Sequence, residues 1–157
     1  MNSERFTREE FHQFVQDHLE EDPAGLLFKY HEKVAFDLKM AVQQIAARQK
    51  AAKKLPTWSK NLHLLFPPSI SVEQSSSEQT AAFKSEGLSG QCLIDLTGGF
   101  GVDFYHLSQG FEKGVYCEQQ PELFEIARHN LSTLHPDKFE FINGDGLDFL
   151  RKTELQF

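Results

Sequence analysis

The stretch Cys92-Leu93-Ile94-Asp95-Leu96-Thr97-Gly98-Gly99-Phe100-Gly101-Val102-Asp103 limits what this chain can fold into more than any other. Its apolar opening, Cys92 to Ile94, reads as a buried strand. The strand ends on an acid, breaks into a glycine-rich turn and resumes as an amphipathic helix from about Val102. Glycines at a strand-to-helix turn let the backbone approach a ligand closely, and the following helix start offers unpaired N–H groups. The pattern is that of a nucleotide-type loop.

Downstream of the turn, strands and helices continue to alternate. A helix from Val102 to Ser108 is closed by Gly110, and a second strand runs Gly114 to Glu118. A helix spans Pro121 to Leu134, and a third strand, Phe139 to Ile142, leads into Asn143-Gly144-Asp145-Gly146 and a last helix over 147–152. Strands joined through helices by short connections predict parallel pairing in a doubly wound α/β sheet, whose ligands bind beyond the carboxyl ends of the strands. All three strand ends carry chemistry. The first gives Asp95 and the glycine turn. The second gives Glu118, 19 positions after Gly99, near the spacing of an acid that accepts from ribose hydroxyls. The third gives Asp145, placed to accept from an adenine amine.

Two ligand classes compete for this loop. A dinucleotide fingerprint needs G-x-G-x-x-G, but Gly99-x-Gly101-x-x-Phe104 has a large ring where the third glycine should allow close helix–strand packing. Asp95 would also repel a pyrophosphate, whereas it would attract the ammonium of an amino-acid moiety. Both points favour S-adenosylmethionine over NAD or FAD.

Upstream the chain reads as helical. Thr7 and Glu10 have capping-box spacing, with Phe11, Phe14, Val15 and Leu19 following at helical intervals, which predicts a helix over 8–20. Asp22-Pro23 predicts a short helix over 23–30. A longer one is expected over 31–54, with Val34, Leu38, Ala41, Val42 and Ile45 on its core face. Its end is basic: Arg48, Lys50, Lys53, Lys54 and Lys60 fall in a stretch without an acid, as suits a helix dipole or an RNA-facing patch. Pro56 stops the helix, and residues 56–72 read as an irregular apolar segment packed across other elements. Ser75 and Glu78 form a second capping box, predicting a helix over 76–86 ended by Gly87. The expected organisation is therefore α/β, with a helical N-terminal region and connector (1–72) and the first half of a Rossmann-like sheet, about three parallel strands with helices (73–157).

Composition excludes little but consistently. No apolar run approaches the roughly 20 residues needed to cross a bilayer, and the first residues lack a signal-peptide core. Cys92 and Cys117 fall in expected strands and read as small hydrophobes in a reducing cytoplasm. The histidines show no ligand spacing, so no metal site is expected. A net charge of −7 speaks against a generic nucleic-acid binder, leaving only the local basic stretch.

Asp95-Leu96-Thr97-Gly98-Gly99-Phe100-Gly101 resembles the first motif of class I S-adenosylmethionine-dependent methyltransferases, with Cys117-Glu118 similar to the second and Gly144-Asp145 to the third. Thr97 stands where that family usually has glycine. The resemblance implies that Asp95 holds the methionine amine and that Gly98 to Gly101 pass under methionine and ribose. It further implies that Glu118 binds the ribose and Asp145 the adenine amine. Thr97, Phe100, Asp103 and Gly146 join the expected cofactor set from these motifs. Lys53-Lys54-Leu55-Pro56-x-Trp58 and Val72 to Ala81 are similar to bacterial methyltransferases that carry a THUMP-like domain after the catalytic fold, which adds Gln74, Ser76 and Thr80 as cofactor contacts and implies RNA as partner. The glycine-turn layout is also similar to that of trimethylguanosine synthases.

A class I sheet has seven strands, and no Asn- or Asp-Pro catalytic motif follows the third strand here. The expectation is an N-terminal portion of a longer enzyme, without catalytic residues of its own and inactive alone, because methyl transfer rests on positioning sulfur, methyl and acceptor together. Its first strand would then present an open apolar edge, a route to self-association. A nucleotide-dependent oxidoreductase and a non-catalytic scaffold are the competing readings.

Overall fold

The structure, a computed structural model, describes residues 9–155 and 157. The Thr7 cap and Arg8 lie outside them. The chain divides into two compact units, Met1–Glu73 and Gln74–Phe157.

The first unit is helical: α1 (Glu9–Asp17), α2 (Pro23–Tyr30), α3 (Leu38–Ala51), α4 (Pro56–Lys60) and α5 (Ser69–Gln74), whose last residue falls in the second unit. Asp22 caps α2 as expected, its carboxylate accepting from the Gly25 N–H. Phe11, Phe14, Val15, Leu26, Ala41, Val42 and Ile45 form the buried core of these first three helices.

Two expectations fail here, each for a local reason. The long helix does not start at His31. Glu32 takes a left-handed conformation (φ 57°), and Asp37 caps α3 by accepting from the Met40 N–H at 3.1 Å. Val34 therefore lies in the connection, although it still packs on the core. Residues 56–72 are not irregular throughout, because Pro56 occupies the first turn of α4 and α5 follows. The segment is held to α3 by two polar side chains one turn apart. Gln44 exchanges both amide hydrogen bonds with the Phe66 backbone (2.8 and 2.9 Å). Arg48 donates to the carbonyls of Ser59, Asn61, Leu62 and Leu64 and lies over the Phe66 ring. Trp58, Leu64, Leu65 and Phe66 are buried as a result.

The second unit runs α6 (Glu78–Ser85), β1 (Gly90–Asp95), α7 (Val102–Leu107), a 3-10 turn (Ser108–Gly110), β2 (Phe111–Glu118), α8 (Pro121–Leu134), β3 (Phe139–Asn143) and α9 (Gly146–Lys152). The strands form one parallel sheet in the order β1-β2-β3. Parallel pairing follows from the helical crossovers. The helix pattern of 121–134 is realised residue for residue, with Leu123, Phe124, Ile126, Ala127 and Leu131 on its buried side. Phe104, Tyr116, Phe124, Ala127 and Leu131 form the core. The capping box before α6 is displaced: Ser77, not Ser75, is the cap, accepting from the Thr80 N–H at 3.0 Å. Among the described residues β1 pairs on one side only, with β2.

Candidate functional site

The register β1-β2-β3 sets Asp95 beside Tyr116 and Glu118 beside Asn143, so the three strands end together and their loops meet. Each loop is tied to its neighbour through the end of β2. The Gly98 N–H donates to the Cys117 carbonyl at 2.8 Å. The Gly144 N–H and the Asn143 side chain both donate to the Glu118 carbonyl, at 3.0 and 2.9 Å.

The glycines of the first loop serve different ends. Gly99 and Gly101 have positive φ (56° and 88°), and Gly101 is the cap residue of α7. Gly98 is glycine for space: a methyl group there would lie 2.1 Å from the Tyr116 ring. That ring is fully buried, and its hydroxyl donates to the Gly99 carbonyl. Phe100 is also buried (3 % exposed), so the ring expected among the cofactor contacts is a packing group. Gly146 likewise serves packing. A Cβ on it would meet the Leu96 carbonyl oxygen at 2.3 Å, so only glycine lets the third loop close onto the first.

Glu118 is buried, its two carboxylate oxygens accepting from the Gly99 N–H (3.0 Å) and the Gln120 N–H (2.8 Å). It thus fixes the glycine turn, and each oxygen keeps a lone pair for a ribose hydroxyl. Asp95 accepts from the Thr97 N–H at 3.0 Å, while Thr97 itself is exposed. Burial pushes the Asp95 carboxyl above its ordinary pKa, against the Thr97 N–H, and the charges of Asp103 and Glu118 push the same way. A cation placed here would reverse that effect. Asp145 caps α9, accepting from the Leu147 and Asp148 N–H groups with one oxygen and from Gln119 with the other. Its cap role was not read from the sequence.

Asp103 and Ser76, far apart in sequence, meet: the Ser76 hydroxyl donates to Asp103 Oδ2 at 2.8 Å. Lys84 completes the cluster, donating to Ser76 Oγ (2.9 Å) and to both Asp103 oxygens (3.1 and 3.0 Å). Thr80 is exposed and engaged by Ser77, and Gln74 is exposed at the end of α5. Lys84 and Tyr116 went unread because neither stands at a spacing that ties it to the loop. For Tyr116 a faint signal existed, namely a bulky strand residue two positions before the acid and opposite a run of glycines.

The structure removes Arg48 from the expected basic patch. Arg48 is only 3 % exposed, with the two terminal nitrogens of its guanidinium spent on backbone carbonyls. Burial pulls its pKa down to about 10, leaving it protonated at neutral pH. Lys54 donates to the Val72 and Glu73 carbonyls. Lys50, Lys53 and Lys60 are exposed.

Among the described residues no group of three or more His, Cys, Asp or Glu is placed to hold a metal ion, and no helix is long and apolar enough to cross a membrane.

No protein-family model matches the chain, and no curated protein matches it. Among solved structures, a crystal structure from Porphyromonas gingivalis W83 described as a "putative methyltransferase" superposes with a TM-score of 0.81 at 25% identity, over 96% of this chain. The fold is methyltransferase-like. The chain spans 38% of the length of that structure. A precorrin 8W decarboxylase from Methanobacterium thermoautotrophicum matches 60% of this chain and 48% of its own at 19% identity, with a TM-score of 0.42.

Within the methyltransferase-like fold, two glycines of the loops at the strand ends leave room for a ligand. A Cβ on Gly144 would meet no atom within 4 Å, and one on Gly99 would meet only the Thr97 carbonyl oxygen, at 3.9 Å. The nearby charges are mainly carboxylates, the wrong sign for a pyrophosphate and the right one for a sulfonium and an ammonium.

Proposed function

We propose that this chain supplies the cofactor half of an S-adenosylmethionine-dependent methyltransferase. The observation that carries this is the Glu118 carboxylate, buried at the end of β2 and bonded to the Gly99 N–H. One acid thereby shapes the glycine turn and would accept from the hydroxyls of a ribose. Asp95 and Asp103 flank the same turn, which supports a cationic ligand over the dinucleotide of an oxidoreductase. When bound, the cofactor would supply an electrophilic methyl on sulfur. This chain's residues would bind and orient it: Asp95 the ammonium, Glu118 the ribose, and the Asp145 loop the adenine.

Calorimetry with S-adenosylhomocysteine and NADH tests the reading. Binding of the former alone is expected. NADH alone would favour the oxidoreductase, and silence with both would favour a scaffold. Glu118→Ala should weaken adenosyl binding by about tenfold or more through lost charge-assisted hydrogen bonds.

RNA as the methyl acceptor, and a THUMP-like domain elsewhere in a longer protein, follow from the motif resemblance. Lys50, Lys53 and Lys60 are the exposed cations of the basic stretch that remain to support an RNA contact.

A further inference from the structure

Gly99 has a left-handed φ of 56° and sits inside a tight turn that the Gly101 N–H closes by donating to the Gly98 carbonyl at 2.9 Å. Such a bond fixes the two ends of a turn and leaves its central peptide, here Gly99–Phe100, free to rotate. Glycine tolerates either rotation, so it permits the observed shape without enforcing it. Enforcement comes from β2. Glu118 accepts from the Gly99 N–H at 3.0 Å, and the Tyr116 hydroxyl donates to the Gly99 carbonyl. Those two groups belong to the peptides on either side of the Gly99 α-carbon, so the pair of bonds holds both of its backbone angles. Tyr116 and Glu118 stand two apart on the central strand of the sheet and therefore share one face of it.

Tyr116 has no exposed surface, and its ring packs against Phe104, Phe124 and Phe141. It can touch no ligand, so whatever it contributes must pass through the turn. Burial pushes its phenol well above the ordinary pKa, and the Glu118 and Asp95 charges push the same way, so the hydroxyl stays a donor. We propose that Tyr116 is a positioning residue, which with Glu118 clamps Gly99 from both sides and holds the Gly99–Phe100 peptide in the orientation that receives an adenosyl ligand. Without the hydroxyl this peptide samples other orientations, and selecting one of them costs the ligand affinity. The inference rests on the proposed cofactor role and adds to it a residue that no ligand contacts.

The decisive variant is Tyr116→Phe, which keeps the ring and removes only the hydroxyl. S-adenosylhomocysteine is titrated by calorimetry into the unmodified protein, Tyr116→Phe and Ile126→Val, each well below its melting temperature. Ile126 lies on the buried side of α8, outside the loops, and its truncation supplies a loss of stability alone. Tyr116→Phe should weaken the ligand by about three- to tenfold. Ile126→Val should change it by less than about twofold. In the ligand-free protein, the amide resonances of Gly99 and Phe100 should shift in Tyr116→Phe and stay in place in Ile126→Val. A merely structural tyrosine would lower the melting temperature and leave affinity and those resonances unmoved, which overturns the proposal. Equal losses of affinity in the two variants overturn it as well. If the unmodified protein does not bind S-adenosylhomocysteine, the cofactor reading fails and the positioning role with it. Binding that Tyr116→Phe leaves intact sinks the positioning role alone. Should Tyr116→Phe not fold, exchange of the Tyr116 hydroxyl proton is followed in the unmodified protein with and without S-adenosylhomocysteine. Bound ligand should slow it by about fivefold or more, and unchanged exchange overturns the proposal.

Discussion

Replacing Gly98 with alanine puts a methyl carbon 2.1 Å from Tyr116 Cε2, 2.4 Å from Cδ2 and 2.8 Å from Cζ. Relief must come from the tyrosine or from the turn, and both are confined. The ring has no exposed surface, packs edge-on against Phe104, and is anchored through its hydroxyl to the Gly99 carbonyl. The turn is held by the Gly98 and Gly99 N–H groups bonded to the end of β2. Overpacking a confined site costs about 1–3 kcal/mol. Displacing the ring far enough to lose the Tyr116 hydroxyl bond adds about 1 kcal/mol. The expected destabilisation of Gly98→Ala is therefore about 2–4 kcal/mol. For a unit of this size that lowers the melting temperature by roughly 10–30 °C.

Urea unfolding followed by far-UV circular dichroism measures the global cost. Hydrogen exchange at the Val115 to Cys117 amides reports it locally. The double variant Gly98→Ala/Tyr116→Leu opens room for the new methyl, so its loss should be smaller than the sum of the single losses by about 1 kcal/mol or more. A Gly98→Ala protein within about 0.5 kcal/mol of the parent, the range of ordinary surface changes, would refute the reasoning. It would mean that ring and turn are not locked together.

Other consequences arise from the same contacts. Gly146→Ala should cost about 2 kcal/mol or more in urea unfolding, since its Cβ would meet backbone at Leu96, which cannot rotate away. Arg48→Met leaves buried carbonyls at Ser59 and Leu64 without their donor and should cost about 2–4 kcal/mol. An effect on RNA affinity at unchanged stability would contradict that internal role. For the exposed cations, Lys50→Glu/Lys53→Glu/Lys60→Glu should lower RNA affinity and flatten its salt dependence, read by a binding titration at two ionic strengths. Burial raises the Asp95 pKa in the fold, so the folded state binds its proton more readily than the unfolded chain. That contribution to stability is full below the ordinary carboxylate pKa and is lost as pH rises through the raised folded value. Asp95→Asn should accordingly be more stable than the parent at neutral pH, with the gap closing on acidification in paired urea titrations.

Legibility varied along the chain with the range of the forces involved. The Asp22 cap and the whole of 121–134 were readable because capping and amphipathic spacing act within a few residues. The start of α3 was not, since Val34 fits the helical stripe and nothing nearby announces the left-handed turn at Glu32. The basic stretch misled for a related reason. Charge is visible in sequence but burial is not, and Arg48 and Lys54 bond carbonyls 11 to 19 positions away.

The sequence alone determined the parallel α/β alternation, the glycine turn, and an acid or acid-bearing loop at each of three strand ends. Those features rest on backbone conformation and side-chain period, which are local. The tertiary structure decided how the pieces are used. It assigned Gly98 and Gly146 to close packing, and it gave the Glu118 carboxylate to the glycine turn. It also brought Lys84 and Ser76 to Asp103 across 19 and 27 positions. Such choices depend on which side chains share space once the strands are in register, and no spacing rule along the chain encodes that.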